Sequence, residues 1–405
     1  MGKIRLWQQV IIAMVLGVIA GQLLGEKAMY LKPFGTVFIN MIKMVVIPLI
    51  FFSILNGITS LNDVSTFSRI GSKAFLAYTF TTMFAVIIGL TAANIFKPGV
   101  GVNVVLSMDS VNYERQQTLT DILVNIVPSN PFKAMAEGNV LQVVLFAFFT
   151  GVSLMLIGEK GKKVKDLVAS ATHLVFKMIE LVIKLTPYGV FAIMAWVVSK
   201  YGLDVLFSLG RFVFVVLGAL AIQYILFGLM ILVFARLNPF PFYKKMIDTQ
   251  LLAFATVSSK ATLGTATKQL QEKVGVSRES ASFVLPLGAS MNMDATSIYL
   301  GICCVFFAQI VGVELTFTQY LVVILTSTIG SIGAAGFPGG SMVMMGMVLS
   351  SVGLPLEGIS LIIGVDRFLE MVRTLINITG DCTITLIVDA SEKRLNKKVY
   401  YNKDA

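Results

Sequence analysis

Apolar runs, most of them about as long as a bilayer is thick, occupy most of this chain. They cover about residues 5–24, 33–59, 70–97, 118–157, 164–199, 205–235, 278–310 and 356–388. A helix needs about 20 consecutive apolar residues to cross the hydrocarbon core. Only 13% of the 405 residues are charged, whereas soluble domains carry about 25%. The sequence therefore predicts an all-α polytopic membrane protein with eight transmembrane helices.

Two further apolar stretches, at about 242–274 and 315–350, are interrupted by polar and glycine-rich sequence. The interruptions read ATVSSKATLGTAT and TSTIGSIGAAGFPGGSMVM. A continuous helix does not tolerate AAGFPGG, and irregular backbone at membrane depth occurs only where protein or a cavity satisfies it. We therefore expect two re-entrant helical hairpins in addition to the spans.

Basic residues predict the orientation. They concentrate in GEKGKKVKD, in RLNPFPFYKK and in the C-terminal tail, and the eight-span count places these segments on the side of Lys3 and Arg5. The positive-inside rule makes that side cytoplasmic. We therefore expect a protein of the cell membrane with both termini in the cytoplasm. The net charge of +10 lies in these short loops and does not indicate nucleic-acid binding.

One face of the last apolar run carries a polar stripe. Its members recur every three or four residues, as on one side of a helix: Asp366, Glu370, Arg373, Asn377 and Asp381. A charge at the bilayer centre costs about 2.5–3.5 kcal/mol, so such a stripe faces protein, water or an ion and by default marks a substrate or ion path. The alternative is a buried Glu370–Arg373 pair that only fixes helix packing.

The hairpin-then-polar-helix unit occurs twice, which indicates an inverted repeat. SSKATLG precedes NMDAT, and AAGFPGG precedes Asn377 and Asp381. Secondary transporters are often built this way, with the substrate site where interrupted helices meet. The chain contains no Walker A motif and no nucleophile elbow, so we expect no ATP coupling, no enzymatic activity and no organic cofactor.

The polar residues predict an acidic amino acid as the substrate. Arg373 offers a permanent bidentate donor to a carboxylate, Ser258 and Ser259 offer hydroxyl and backbone donors at a helix start, and Glu370 offers an acceptor to an ammonium group. The alternative is that Glu370 only neutralises Arg373, because a Glu three residues before an Arg is a common helix pair.

Sodium is the expected coupling ion, because it prefers oxygen ligands. Asp381 and Asn377 lie one helical turn apart, and Asn292 and Asp294 lie in SMNMDATS, whose small polar residues suggest an unwound helix. A third group of oxygens is weaker evidence, because a membrane threonine usually bonds its own backbone: Tyr78, Thr81 and Thr82.

Over essentially its full length the chain resembles the dicarboxylate/amino acid:cation symporters, the family of the excitatory amino acid transporters and the archaeal aspartate transporters. The resemblance is carried by SSKATL, LPLGASMNMDAT, GSIGAAGFPGG, MVLSSVGLPLEG and MVRTLINITGD. It implies a homotrimer in which a transport domain moves across the membrane like an elevator against a fixed scaffold.

By the same resemblance the chain divides into segments of two kinds. Scaffold helices 1 and 2 are expected at 1–69, a broken scaffold helix 4 at 118–163 and scaffold helix 5 at 164–204. Transport-domain helix 3 with the start of an extracellular segment is expected at 70–117, and transport-domain helix 6 at 205–241. The transport-domain core, with both hairpins, helices 7 and 8 and a basic cytoplasmic tail, is expected at 242–405.

The resemblance also implies the site residues. The substrate site would comprise Ser258, Ser259, Thr296, Phe337, Ser341, Glu370, Arg373, Thr374 and Asn377, with the second hairpin as the extracellular gate. A first sodium site would comprise Gly288, Asn292, Asn377 and Asp381. A second would use Ser290, Met293, Ser331, Ile332 and Ala334, and a third Tyr78, Thr81, Thr82, Asn292 and Asp294.

Several positions bear on coupling and substrate, some because they match the family pattern and some because they depart from it. Asp381 favours sodium over protons, and Leu300 stands where animal members carry a proton-binding glutamate. Glu370 stands where amino-acid transporters usually have Asp, while the C4-dicarboxylate branch lacks a carboxylate there. Other departures are Lys260, Gly264, Phe337 and Ser341.

We therefore expect a sodium-coupled importer of aspartate or glutamate. The alternatives are a C4-dicarboxylate or neutral amino-acid symporter on the same scaffold, a passive channel, and an intramembrane aspartyl protease using Asp294 and Asp381. The protease is disfavoured because INITGD lacks the first glycine of the G-x-G-D motif.

Overall fold

The computed structural model describes residues 6–59, 68–101, 124, 127–137, 140–202, 204–334 and 340–402. Within these ranges the regular structure consists of helices, and no residue belongs to a strand. The predicted all-α class is confirmed for the described part of the chain.

The helices of the first half are α1 Leu6–Leu24, α2 Lys32–Thr59, α3 Ser68–Phe96, α4 Pro131–Ala136, α5 Val140–Leu156, α6 Lys162–Lys184, α7 Thr186–Tyr201 and α8 Asp204–Met230. Those of the second half are α9 Pro239–Lys245, α10 Ile247–Thr256, α11 Ser259–Gln269, α12 Arg278–Met291, α13 Asp294–Val311, α14 Phe317–Ala334, α15 Gly340–Ser351, α16 Ile359–Ser391 and α17 Lys397–Tyr401.

Among the described residues, five helical stretches are long and apolar enough to cross a membrane. They are 8–38, 69–96, 209–235, 278–311 and 361–391, and a sixth stretch is formed if the bent pair 158–182 and 186–200 is counted as one span. The chain is thus a multi-pass membrane protein, and the count of eight spans stays a prediction.

The apolar run 164–199 is divided, although the sequence pattern suggested one helix. α6 ends at Lys184, and α7 begins at Thr186 with a bend of 48° between them. Pro187 lies in the first turn of α7, where its missing N–H and its ring are tolerated, whereas in the middle of a longer helix both disrupt the backbone bonds.

Small residues allow the closest helix contacts. A Cβ placed on Gly21 of α1 would lie 2.5 Å from the carbonyl oxygen of Ala195 in α7, and one on Gly89 of α3 would lie 2.2 Å from that of Ile298 in α13. Glycine at such crossings lets two membrane helices approach backbone to backbone.

The polar helices lie at the centre of the molecule. Of the apolar windows in the candidate spans, 89% of the one in 278–311 and 83% of the one in 361–391 are buried, against 22% of the one in 8–38. The five residues of the predicted stripe on α16 are all buried. The stripe therefore faces protein, as the cost of exposing charge to lipid requires.

Both interrupted stretches form pairs of helices that pack against each other. In the first hairpin, α10 and α11 are joined through Val257, whose φ of 55° is left-handed, and Ser258, whose Oγ accepts from the backbone N–H of Ala261 at 3.3 Å. In the second hairpin, α14 packs against α15, and the connection 335–339, with Phe337, lies outside the described residues.

The C-terminal helix α17 is fixed to the base of the first hairpin by a buried lysine. Lys245 Nζ donates to the carbonyl oxygens of Lys273, Val399 and Tyr400 at 2.7, 2.8 and 3.0 Å. Lys245 is 7% exposed, whereas the adjacent Lys244 is exposed. Three carbonyl acceptors compensate the burial of this ammonium.

Candidate functional site

A polar cavity lies between the break of the first hairpin, the start of α13, the start of α15 and the middle of α16. Its lining residues are Val257, Ser258, Ser259, Met293, Thr296, Ser341, Glu370, Arg373, Thr374 and Asn377. Every residue expected at the substrate site lines it except Phe337, which lies outside the described residues. Residues more than 100 positions apart in sequence therefore meet at one place.

Arg373 is the buried cation of this cavity. Its Nη2 donates to Asp366 Oδ1 at 2.8 Å and to Ser341 Oγ at 3.0 Å. Its Cζ lies 3.8 Å from the centroid of the Tyr299 ring, a cation–π contact that is strong when desolvated. Among the described residues, neither Nε nor Nη1 has a hydrogen-bond acceptor. Two donors of a fixed planar group thus remain available to a guest.

Glu370 has a different partner from the one that its spacing suggested. Its Oε2 accepts from Arg367 Nη1 at 2.5 Å, and Arg373 pairs with Asp366 instead. The two ion pairs alternate along α16. The carboxylates of Asp366 and Glu370 are thus each paired with a guanidinium group of the same helix.

Asn377 joins α16 to the start of α13. Its Oδ1 accepts from the backbone N–H of Ala295 at 2.8 Å, and its Nδ2 donates to Thr296 Oγ1 at 3.4 Å. The hydroxyl of Thr374 donates to the carbonyl oxygen of Glu370 at 2.8 Å. The amide oxygen thus satisfies an N–H that the break before α13 leaves without a helical partner.

The break between α12 and α13 confirms the unwound segment expected at NMD. α12 ends at Met291 and α13 begins at Asp294, with Asn292 extended at φ −97° and ψ 115°. Ser331 Oγ donates to the carbonyl oxygen of Met291 at 3.1 Å, so the last turn of α14, which also contains Ile332 and Ala334, lies at this break. Ser290 there is half-buried.

Asp381 is the deepest member of the stripe. It is fully buried, its Oδ1 accepts from Asn292 Nδ2 at 2.9 Å, and its Oδ2 has no donor among the described residues. A Cβ on Gly288 would lie 2.8 Å from Oδ1, so glycine at 288 makes room for this carboxylate beside the α12 backbone.

Asp294 is a second fully buried carboxylate nearby. Its Oδ1 accepts from Thr82 Oγ1 at 2.9 Å and its Oδ2 from Gln223 Nε2 at 3.2 Å. Both donors are neutral, and an ionised carboxylate held only by neutral donors keeps its attraction for a cation.

Tyr78 and Thr81 lie in the same region with different contacts. Tyr78 Oη donates to the carbonyl oxygens of Val284 at 3.1 Å and Asp381 at 3.4 Å, which connects α3 to the Asp381 group. The Thr81 hydroxyl donates to the carbonyl oxygen of Tyr78 on its own helix at 3.1 Å.

Sequence reasoning missed Gln223, Arg367 and Tyr299. The signal for Gln223 was a lone amide inside the apolar run GALAIQYILF, since such residues in a span face the protein interior and find partners. Arg367 directly follows Asp366, the first member of the stripe, but lies off the stripe's spacing. Nothing in the local pattern pointed to the Tyr299 ring that lies against Arg373.

The helices of the described residues, with interrupted helices around a buried polar cavity, are consistent with a polytopic membrane transporter. Residues 6–391 match the family model described as the sodium:dicarboxylate symporter family. The chain belongs to this family, and the resemblance expected from the motifs is confirmed. The names of its relatives describe symport and transport proteins and not enzymes.

Similar proteins carry two kinds of names. The chain is 33% identical to the proton/sodium-glutamate symport protein of Geobacillus stearothermophilus, over 98% of this chain and 97% of that one. It is 35% identical to the protein of that name from Bacillus subtilis, over 97% and 94%. It is 36% identical to the C4-dicarboxylate transport protein of Bacillus subtilis, over 96% and 94%.

Proposed function

We propose that this protein is a sodium-coupled symporter that imports acidic amino acids, aspartate or glutamate. The observation that carries the proposal is the cavity in which two Arg373 donors have no acceptor among the described residues while Glu370 lines the same space. A guanidinium holds a carboxylate by two parallel bonds, and a glutamate carboxylate accepts from an ammonium group. One face of α16 therefore complements a molecule with both charges.

The two buried carboxylates support sodium as the coupling ion. Asp381 accepts from the amide nitrogen of Asn292, its backbone carbonyl accepts from the Tyr78 hydroxyl, and Asp294 accepts from the Thr82 hydroxyl. We propose that sodium ions, co-transported with the substrate, occupy the oxygen groups that the family resemblance assigns, because hard cations take oxygen ligands. A buried carboxylate that has only neutral donors is costly in free energy, and a bound sodium ion would offset that cost by neutralising its charge.

The C4-dicarboxylates are the second candidate substrate class. The 2.5 Å contact between Arg367 and Glu370 favours it, because a carboxylate already paired has less need of an ammonium partner. Relatives named for C4-dicarboxylate transport are as similar to this chain as those named for glutamate.

We infer the assembly and the movement from family membership. The protein would form a homotrimer in the cell membrane with both termini in the cytoplasm, and the part that holds the cavity would move across the bilayer like an elevator. Residues 70–117, 205–241 and 242–405 would move, and 1–69, 118–163 and 164–204 would stay fixed.

Uptake into proteoliposomes tests the proposal. Labelled aspartate, glutamate and succinate are offered with an inward sodium gradient and then with a proton gradient alone. The proposal expects sodium-driven uptake of at least one of the two amino acids. Uptake of succinate with exclusion of both amino acids would refute the pairing of Glu370 with an ammonium group. Uptake driven by protons alone would refute sodium coupling.

A further inference from the structure

The proposed substrate site gives no role to Arg367, an arginine within the membrane helix α16. Its Nη1 donates to Glu370 Oε2 at 2.5 Å, and the two side chains are only 17% and 10% exposed. Its Nε is buried without an acceptor among the described residues. Burying a guanidinium to hold one carboxylate is costly, so the pair calls for an explanation beyond helix stability.

The position of Arg367 separates it from direct substrate contact. Glu370 and Arg373 line the cavity, and Arg367 is not among the described lining residues. Arg367 lies one helical turn before Glu370, on the side away from Arg373. It therefore acts on a guest through Glu370, whose carboxylate it holds and whose negative charge it offsets.

The charges of this part of α16 balance before any guest arrives. Asp366 pairs with Arg373, and Arg367 pairs with Glu370. If Arg367 were neutral, Glu370 would leave one net negative charge beside the cavity. Such a charge attracts an ammonium group and repels a second carboxylate, and it does both strongly where solvent is excluded.

We propose that Arg367 determines substrate specificity: by pairing with Glu370 it competes with the substrate ammonium, and this lets the cavity accept C4-dicarboxylates as well as acidic amino acids. This inference rests on the proposed function, since it assumes that the guest binds at Arg373 and Glu370. Arg367 is a positioning residue in this scheme, and the quantity it controls is the ratio of the affinities for the two substrate classes.

Competition experiments in proteoliposomes test this role. Unlabelled aspartate and unlabelled succinate each inhibit sodium-driven uptake of labelled aspartate, and the ratio of the succinate to the aspartate half-inhibition concentration is measured. In Arg367→Gln the ratio should rise about tenfold, which corresponds to about 1.4 kcal/mol. Arg367→Lys, which keeps the charge, should stay within about threefold of the wild type. A general structural defect would weaken both inhibitors together and leave the ratio unchanged.

A second variant tests whether Arg367 acts through Glu370. Glu370→Gln should move the ratio in the opposite direction, and adding Arg367→Gln to it should change the ratio by less than about threefold, because the coupling partner is gone. An unchanged ratio in an Arg367→Gln protein that still binds sodium would overturn the inference. So would a change of the ratio by Arg367→Gln that is as large in the Glu370→Gln background as in the wild type. If Arg367→Gln does not fold, an unchanged ratio in Glu370→Gln would overturn it.

The wild-type protein separates this inference from the proposed function. Aspartate uptake that succinate does not inhibit would overturn the role of Arg367 and leave the proposed function intact. Failure to take up either amino acid would refute the proposed function itself.

Discussion

Replacing Arg373 by lysine tests the carboxylate site while keeping its charge. The lysine ammonium is a point donor without the planar fork of a guanidinium. It can still pair with Asp366, which Arg373 Nη2 contacts at 2.8 Å. It cannot also present the two donors, Nε and Nη1, that have no acceptor among the described residues.

The expected loss follows from counting these donors. A hydrogen bond to a charged group contributes about 1.5–3 kcal/mol. If the lysine replaces one of the two bonds to the substrate carboxylate, binding should weaken by about one such bond, or about 10- to 150-fold. Sodium binding should persist, because Asp381 and Asp294 bond Asn292, Thr82 and Gln223 and not Arg373.

The assay is labelled aspartate uptake at varied aspartate concentration under a fixed sodium gradient, with sodium binding followed by thermal stabilisation of the purified protein. Arg211→Lys, at an exposed position on α8, is the matched control and should match the wild type. Arg373→Ala should abolish uptake and keep the sodium response. A half-saturation concentration in Arg373→Lys within about threefold of the wild type would show that the guanidinium does not hold the substrate.

Two further variants address the surroundings of Asp294 and the attachment of the C-terminal helix α17. Gln223→Leu removes the donor to Asp294 Oδ2 and should raise the sodium concentration for half-maximal uptake by about tenfold, on the order of one hydrogen bond to a charged group. The control Gln309→Leu removes contacts to backbone groups at Ala93 and Gly99 and should leave that concentration unchanged. Equal effects of the two variants would contradict the assignment of Asp294 to a sodium site. Lys245→Met removes three hydrogen bonds and should raise the rate of amide hydrogen exchange in 271–275 and 397–401 at least tenfold, whereas the control Lys244→Met should not. Exchange rates in Lys245→Met equal to those of the wild type would show that Lys245 does not hold α17 in place.

The sequence predicted the interior of this molecule better than its periphery. The spacing of Asp366 to Asp381 was sufficient to place five polar residues on one buried face, because membrane helices cannot expose charge to lipid. The polar sequence SMNMD likewise predicted the break between α12 and α13. The bend near Pro187 was not predicted, although a proline within an apolar run is a known signal for one.

The choice of ion-pair partners on α16 was not predictable from spacing. Glu370 and Asp366 are both within reach of Arg373 along the helix, and Arg367 competes for Glu370. The outcome depends on groups from other elements, since the Tyr299 ring of α13 covers one face of the guanidinium and Ser341 of α15 accepts from its Nη2. Only the tertiary arrangement brings these groups together.

The crossing of α3 and α13 has a mechanical consequence. At Gly89 and Ile298 no layer of side chains separates the two backbones. The helices therefore cannot slide past each other without losing this close backbone contact. If the cavity moves across the bilayer, as we propose, α3 must therefore move together with α13. A larger residue at position 89 would force the two helices apart and, under that proposal, should slow transport without changing any residue that lines the cavity.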